Sequence, residues 1–172
     1  MLYHSLYKAL LDNGKAVSQT NKIYNENFIE TFNEVNEADV AGGFIYVLQS
    51  KSDKPEIKSI PNLYKIGFTK QSVELRIKNA SDQPTYLMAD VKIITTYKCY
   101  NLDVSKLELL LHNFFGNACL NVNVFDKQGN IFSPREWFIA PIKIIEEAIE
   151  LIIKGTIVNY SYDFGSERIV LK

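Results

Sequence analysis

Two short runs of β-branched and aromatic residues, Phe44-Ile45-Tyr46-Val47-Leu48 and Leu63-Tyr64-Lys65-Ile66-Gly67-Phe68, flank a polar stretch that carries Pro55 and Pro61. Such runs pack well on a pleated surface, and prolines cannot donate to a strand ladder. The pair predicts an antiparallel hairpin with a long connection, and the rest of the chain must be arranged around it. Residues 91–100 add a third strand. Residues 72–80 place Val73, Ile77 and Ala80 on one helical side, with Ser72 positioned to cap. Residues 104–115 put Leu107, Leu110, Leu111 and Phe114 in one stripe, with Asp103 or Ser105 as cap. Residues 116–130 read as a loop or loose hairpin turning at 126–130. Residues 131–139 read as a strand or the start of a helix, interrupted by Pro134. A last helix through Lys154 turns Ile144, Ile145, Ala148, Leu151 and Ile152 inward, between Pro141 and a stop at Gly155. This order predicts an α+β fold, a small mixed or antiparallel three-stranded central sheet flanked by helices.

Residues 1–41 have a different texture. Leu2, Leu6, Ala9, Leu10 and Val17, then Ile23, Phe28, Ile29, Phe32 and Val35, follow a helical period, with a break near Asn13-Gly14. The expected organisation is an N-terminal helical arm over 1–41, a main domain over 42–155, and an extension over 156–172. The extension reads as a hairpin turning near Phe164-Gly165-Ser166. The arm packs on the main domain or joins two copies as a homodimer.

Composition narrows the class. At 47% hydrophobic and 23% charged, the chain suits a globular fold and not a disordered one. Its apolar runs fall short of the roughly 18 to 20 residues of a membrane span. The start Met1-Leu2-Tyr3-His4-Ser5 lacks the pattern of an export signal. A cytoplasmic location and no membrane partner are therefore expected. Cys99 and Cys119 are too few for a disulfide scaffold or a zinc cage, and read as buried free thiols. The net charge of -1 gives no general attraction to polyanions. The charge is uneven, however. Lys51, Lys54, Lys58, Lys65, Lys70, Arg76 and Lys78 gather in one stretch. Much of the acid lies in the arm (Glu26, Glu30, Glu34, Glu37, Asp39) and in the last helix (Glu146, Glu147, Glu150). That asymmetry predicts one phosphate-facing side.

Candidate chemistry begins with strand alternation, which places Tyr46 and Lys65 on one surface of the hairpin. A lysine within a sheet costs stability unless its amine reaches water or an anion. A phenol beside an ammonium is expected to favour its phenolate and so to orient or deprotonate water. The plainer alternative makes Tyr46 a packing aromatic. Gly42, Gly43 and Gly67 permit close backbone approach beside this pair. Arg76 borders the apolar side of its helix, where a guanidinium can reach phosphate oxygens. Glu108 and His112, four apart on one helix face, could form an oriented imidazole. Glu136 sits between Arg135 and the only Trp. One carboxylate there suffices for a hard divalent ion that keeps most of its waters.

Taken together, Gly43-Phe44-Ile45-Tyr46-Val47-Leu48, Tyr64-Lys65-Ile66-Gly67-Phe68-Thr69, Arg76, Glu108-Leu109-Leu110-Leu111-His112 and Glu136-Trp137-Phe138 resemble the GIY-YIG nuclease superfamily. They look most like its phage-related branch, in which the second motif reads K-I-G. The resemblance covers about two-thirds of the chain. Phe44-Ile45-Tyr46 matches the first motif with Phe for Gly, and Lys65-Ile66-Gly67 matches the second with Lys for Tyr. The resemblance implies a metal-dependent DNA endonuclease using Mg2+ or Mn2+. Tyr46 and Lys65 would activate water, with the lysine lowering the phenol's pKa. Arg76 would stabilise the transition state, Glu136 would bind one metal ion, and His112 would be an auxiliary base or phosphate contact. The alternative is a catalytically inactive DNA-binding or assembly module on the same fold.

Overall fold

The computed structural model describes residues 15–18, 41–102 and 106–172. Its centre is the expected hairpin. Strand β2 (Ala41–Ser50) pairs antiparallel with β3 (Leu63–Thr69) and, along its other edge, with β4 (Val91–Tyr100). Between β2 and β3 runs one turn of helix, α1 (Pro55–Lys58), started by its proline. The α+β expectation holds, but the sheet is wider than three strands. β7 (Trp137–Ile139) joins the free edge of β3 and β1 (Lys15–Ser18) joins β4, giving the order β1-β4-β2-β3-β7, antiparallel throughout. Residues 15–18 were expected to be helical and are instead a strand, because the β4 edge offers a full set of unpaired backbone groups. The rest of the expected helical arm lies outside the described residues.

The two faces of the sheet are covered separately. On one face Ile45, Val47 and Ile66 meet α3 (Leu107–Phe115) and α4 (Ile142–Ile153). Leu110, Leu111, Phe114, Ile145, Ala148, Ile149 and Ile152 fill the space between them, all nearly or wholly buried. Burial of each large apolar side chain here is worth about 1.5–3 kcal/mol. Residues 103–105, with the expected caps Asp103 and Ser105, lie outside the described residues. The C-terminal hairpin, β8 (Tyr160–Asp163) and β9 (Arg168–Leu171), closes this layer by packing Tyr162 edge-on to Phe115.

On the opposite face Tyr46, Leu48 and Leu63 pack with Ile57, Trp137 and α2 (Val73–Ile77). The Ser72 hydroxyl caps α2 by accepting the Leu75 amide at 3.3 Å. This helix is shorter than its apolar pattern suggested. The chain passes instead through two 3-10 turns, Ala80–Asp82 and Pro84–Tyr86, before Leu87 and Met88 at positive φ redirect it into β4. A small hairpin, β5 (Val124–Phe125) with β6 (Ile131–Phe132), leads into β7, and Lys127 clasps it to Asp82 at 2.7 Å. Thus residues 131–139 are two strands separated by the segment around Pro134. Cys99 is buried and free, its thiol pushed up to about 11 by burial, while Cys119 is only partly buried. Among the described residues no helix is long and apolar enough to cross a membrane.

Candidate functional site

Register explains how the sheet presents its chemistry. Tyr46 stands directly opposite Gly67, and Leu48 stands opposite Lys65. Tyr46 and Lys65 are therefore diagonal neighbours on one face. Gly67 is required by this packing. A β-carbon there would run into the Tyr46 ring and hydroxyl. Gly43 meets a comparable constraint. Its φ is +127°, and a side chain would strike the Thr69 carbonyl and the Phe68 ring.

The Lys65 side chain is 1% exposed. The anion that a buried ammonium demands is Glu136, whose Oε2 accepts a short bond from Lys65 Nζ. Thr85 Oγ1 completes the group. It accepts from Lys65 Nζ at 3.0 Å and donates to the same Glu136 oxygen at 2.9 Å. Glu136 directly precedes β7, and its carbonyl accepts the Ile66 amide. The ladder thereby fixes its backbone beside Lys65. Trp137 faces the opposite way from Phe138, and its indole N–H donates to the Thr85 carbonyl at 3.0 Å. Arg76, from α2, donates to Gln83 Oε1 at 3.2 Å, and its guanidinium lies 5.4 Å from the centre of the Tyr86 ring. Lys65 Nζ lies 5.3 Å from the same centre, so one aromatic ring meets two cations. The Tyr86 hydroxyl is 3.5 Å from the Tyr46 hydroxyl.

Electrostatics follow burial. Desolvation, then the bond to Tyr86, raises the Tyr46 phenol well above its ordinary range. The expectation that Lys65 would lower it is overturned. The ammonium is spent on Glu136 and Thr85, and loss of water dominates the phenol. Burial also lowers Lys65 from its ordinary value, against the opposing pull of Glu136. Burial alone would raise Glu136, but the Lys65 ammonium and the Thr85 hydroxyl outweigh it and leave the carboxyl below its ordinary value.

The structure therefore brings Tyr46, Lys65, Arg76 and Glu136 into one connected group and leaves His112 out of it. The His112 ring packs edge-on to Phe138 on the helix-covered face, with 5.7 Å between centres. Its Nε2 is buried and has no hydrogen-bond partner among the described residues. Glu108 Oε1 lies 3.8 Å from that nitrogen, too far for a hydrogen bond, so the expected orientation of His112 by Glu108 is not made. Glu108 points instead into a pocket of about 200 Å³ that it lines with Gly67, Phe68 and Glu136. His112 lines a separate pocket with Cys119, Ser133 and Arg135.

Sequence reasoning missed Gln83, Thr85 and Tyr86. A threonine and a tyrosine next to a proline in a loop were the only signal. The loop has no periodicity to show which way its side chains point.

The metal expectation can be tested on the donor set. Both bonds to Glu136 fall on Oε2, and the side chain is 39% exposed at the pocket rim. Oε1 accepts no bond from a described residue. A hard ion taking one protein oxygen, with waters and phosphate for the rest, fits this geometry. Among the described residues no cluster of three or more His, Cys, Asp or Glu side chains offers a fuller cage.

Comparison with known proteins places the chain. Residues 43–153 match the T5orf172 domain. The chain is 42% identical over 153 residues to the uncharacterized protein YeeC of Bacillus subtilis strain 168, covering 89% of this chain. It spans 38% of that relative's length. No solved structure matches the chain.

Proposed function

This chain belongs to the T5orf172 domain family, and from that premise we propose that its polar sheet face hydrolyses phosphodiester bonds in DNA with one divalent metal ion. The observation that carries this reading is the convergence of Tyr46, Lys65, Arg76 and Glu136 from β2, β3, α2 and the start of β7 around the Tyr86 ring. Two cations, a phenol and a carboxylate on one patch match what an in-line attack at a phosphate requires. Glu136 would hold Mg2+ or Mn2+ through its open oxygen. When bound, such an ion supplies Lewis-acid stabilisation of the phosphate charge and of the leaving 3′ oxygen.

The chain's own residues divide the remaining work. Arg76 faces the cluster with its guanidinium and offsets charge on the five-coordinate transition state. Tyr46 keeps its proton at neutral pH, so its hydroxyl donates to water or to a phosphate oxygen and does not act as a free base. Lys65 would assist in activating the water from beside Tyr46, its ammonium held in place by Glu136 and Thr85. His112 stands apart from this core and is at most an outlying phosphate contact.

A second reading, an inactive DNA-binding or assembly module, is favoured by one observation. The Tyr46 side chain is 2% exposed, so its hydroxyl must gain access for the chemistry. A plasmid-nicking assay with and without Mg2+, run beside Glu136→Ala, separates the two. Metal-dependent nicking lost in the variant supports the nuclease. Tight DNA binding without nicking under either Mg2+ or Mn2+ supports the module.

A further inference from the structure

The segment Gln83–Tyr86 touches every member of the polar group, although none of it belongs to a strand. Gln83 holds Arg76, Thr85 bridges Lys65 and Glu136, and the Tyr86 ring lies beneath both cations. Four backbone and packing features fix this strap. Trp137 Nε1 donates to the Thr85 carbonyl, the Tyr86 amide bonds the Gln83 carbonyl, Pro84 opens the turn, and Tyr86 is wholly buried. The strap is therefore a rigid part, with its side chains set before any substrate arrives.

We propose that Thr85 and Tyr86 are positioning residues for this site. Thr85 sets the distance between the Lys65 amine and the Glu136 carboxylate. Among the described residues its hydroxyl is the one group bonded to both, and it hands a hydrogen-bond donor to the oxygen that the lysine also uses. Without it the carboxylate keeps only its bond to the lysine, and the open oxygen loses its aim. Tyr86 keeps two like-charged groups close to each other. Lys65 and Arg76 repel, and the electron-rich face of one ring attracts both. Neither residue needs to touch the reacting atoms. Each acts through the groups it holds.

This inference rests on the nuclease reading for its kinetic test, and a second readout keeps it independent. The experiment compares Thr85→Val, Thr85→Ser, Tyr86→Leu and Tyr86→Phe in the full chain. Nicking of supercoiled DNA gives kcat and KM, and proton–nitrogen NMR observes the Lys65 ammonium in the absence of DNA and metal. Loss of a partner of this kind usually costs about 10- to 100-fold in activity. Thr85→Val and Tyr86→Leu are expected to lower kcat in that range with KM little changed. Thr85→Ser and Tyr86→Phe are expected to restore most of it, since they keep the hydroxyl and the ring respectively. The Lys65 signal should move in Thr85→Val and stay in Thr85→Ser. Unchanged kcat in Thr85→Val, or equal loss in Thr85→Val and Thr85→Ser, overturns the role of the hydroxyl. Equal loss in Tyr86→Leu and Tyr86→Phe overturns the role of the ring. If the unaltered protein nicks no DNA, the nuclease reading fails by itself. The NMR signal then decides for both: displaced in Thr85→Val but not Thr85→Ser supports the hydroxyl, displaced in Tyr86→Leu but not Tyr86→Phe supports the ring, and a signal unmoved in Thr85→Val or in Tyr86→Leu contradicts that residue's role.

Discussion

The two faces of one sheet have been put to opposite uses. Ile45 and Val47 point into a layer of Leu, Ile and Phe side chains from α3 and α4, in which Phe115 stacks on Phe138 at 4.7 Å. Tyr46, one residue away, points into a layer holding Lys65, Arg76, Thr85, Tyr86 and Glu136. The first layer excludes water and the second opens to it at Glu136, and they are stabilised differently. The first relies on apolar area and shape, and the second must pair each buried polar group. Alternation along β2 and β3 delivers both layers from the same two strands.

That contrast can be tested by disturbing each face in turn. The largest effect is expected from Phe115→Ala on the apolar face, a loss of about 3–5 kcal/mol of stability. Chemical denaturation measures it, and nicking per folded molecule at low temperature should be unchanged. A specific loss of nicking at full folding would show that the faces are not separate. On the polar face, Arg76→Ala should slow nicking by about 10²- to 10³-fold. It should change the melting temperature little, since among the described residues the guanidinium makes one side-chain hydrogen bond.

Gly67→Ala probes the boundary between strand and site. It forces the Tyr46 ring out of place and should cost about 1–3 kcal/mol by overpacking, together with most activity. Wild-type behaviour would mean that Tyr46 need not lie across Gly67.

Acid gives a smaller effect of known sign. Glu136 is held below its ordinary carboxyl value of 4.5 in the folded protein, so its contribution to stability is fully present above that value. It is lost as pH falls through the lower folded value. The melting-temperature gap between the unaltered protein and Glu136→Gln should therefore narrow between neutral pH and pH values below 4.5. A gap that widens on acidification contradicts the pairing with Lys65. The smallest effect belongs to His112→Leu, which replaces a buried nitrogen that has no hydrogen-bond partner among the described residues and should change stability by less than about 1 kcal/mol. Nicking should stay within a few-fold, and a loss of a hundredfold would return His112 to the site.

Much of this contrast was legible from the residues. The β2–β3 hairpin and β4 announced themselves by β-branched and aromatic runs, and α3 and α4 by their apolar period. Alternation then put Tyr46 and Lys65 on one face. The missing parts share a cause. Thr85 meets Glu136 across 51 positions and Tyr86 meets Tyr46 across 40, and a loop offers no period that points to either partner. β1 was read as helix because four residues carry less pattern than the sheet edge that recruits them. The Tyr46 acidity was misjudged for a different reason. Adjacency to an ammonium was visible in the strand pairing, whereas the depth of burial that reverses its effect arises only from tertiary packing.

In the proposed nuclease the polar face acts on a single phosphate as one unit. Groups acting as a unit are not additive when removed together. Nicking rates of Arg76→Ala, Glu136→Ala and the double variant, with each protein verified as folded, measure this directly. A double variant no slower than the slower single one is the predicted result. Losses that multiply, as for two independent sites, would contradict the claim.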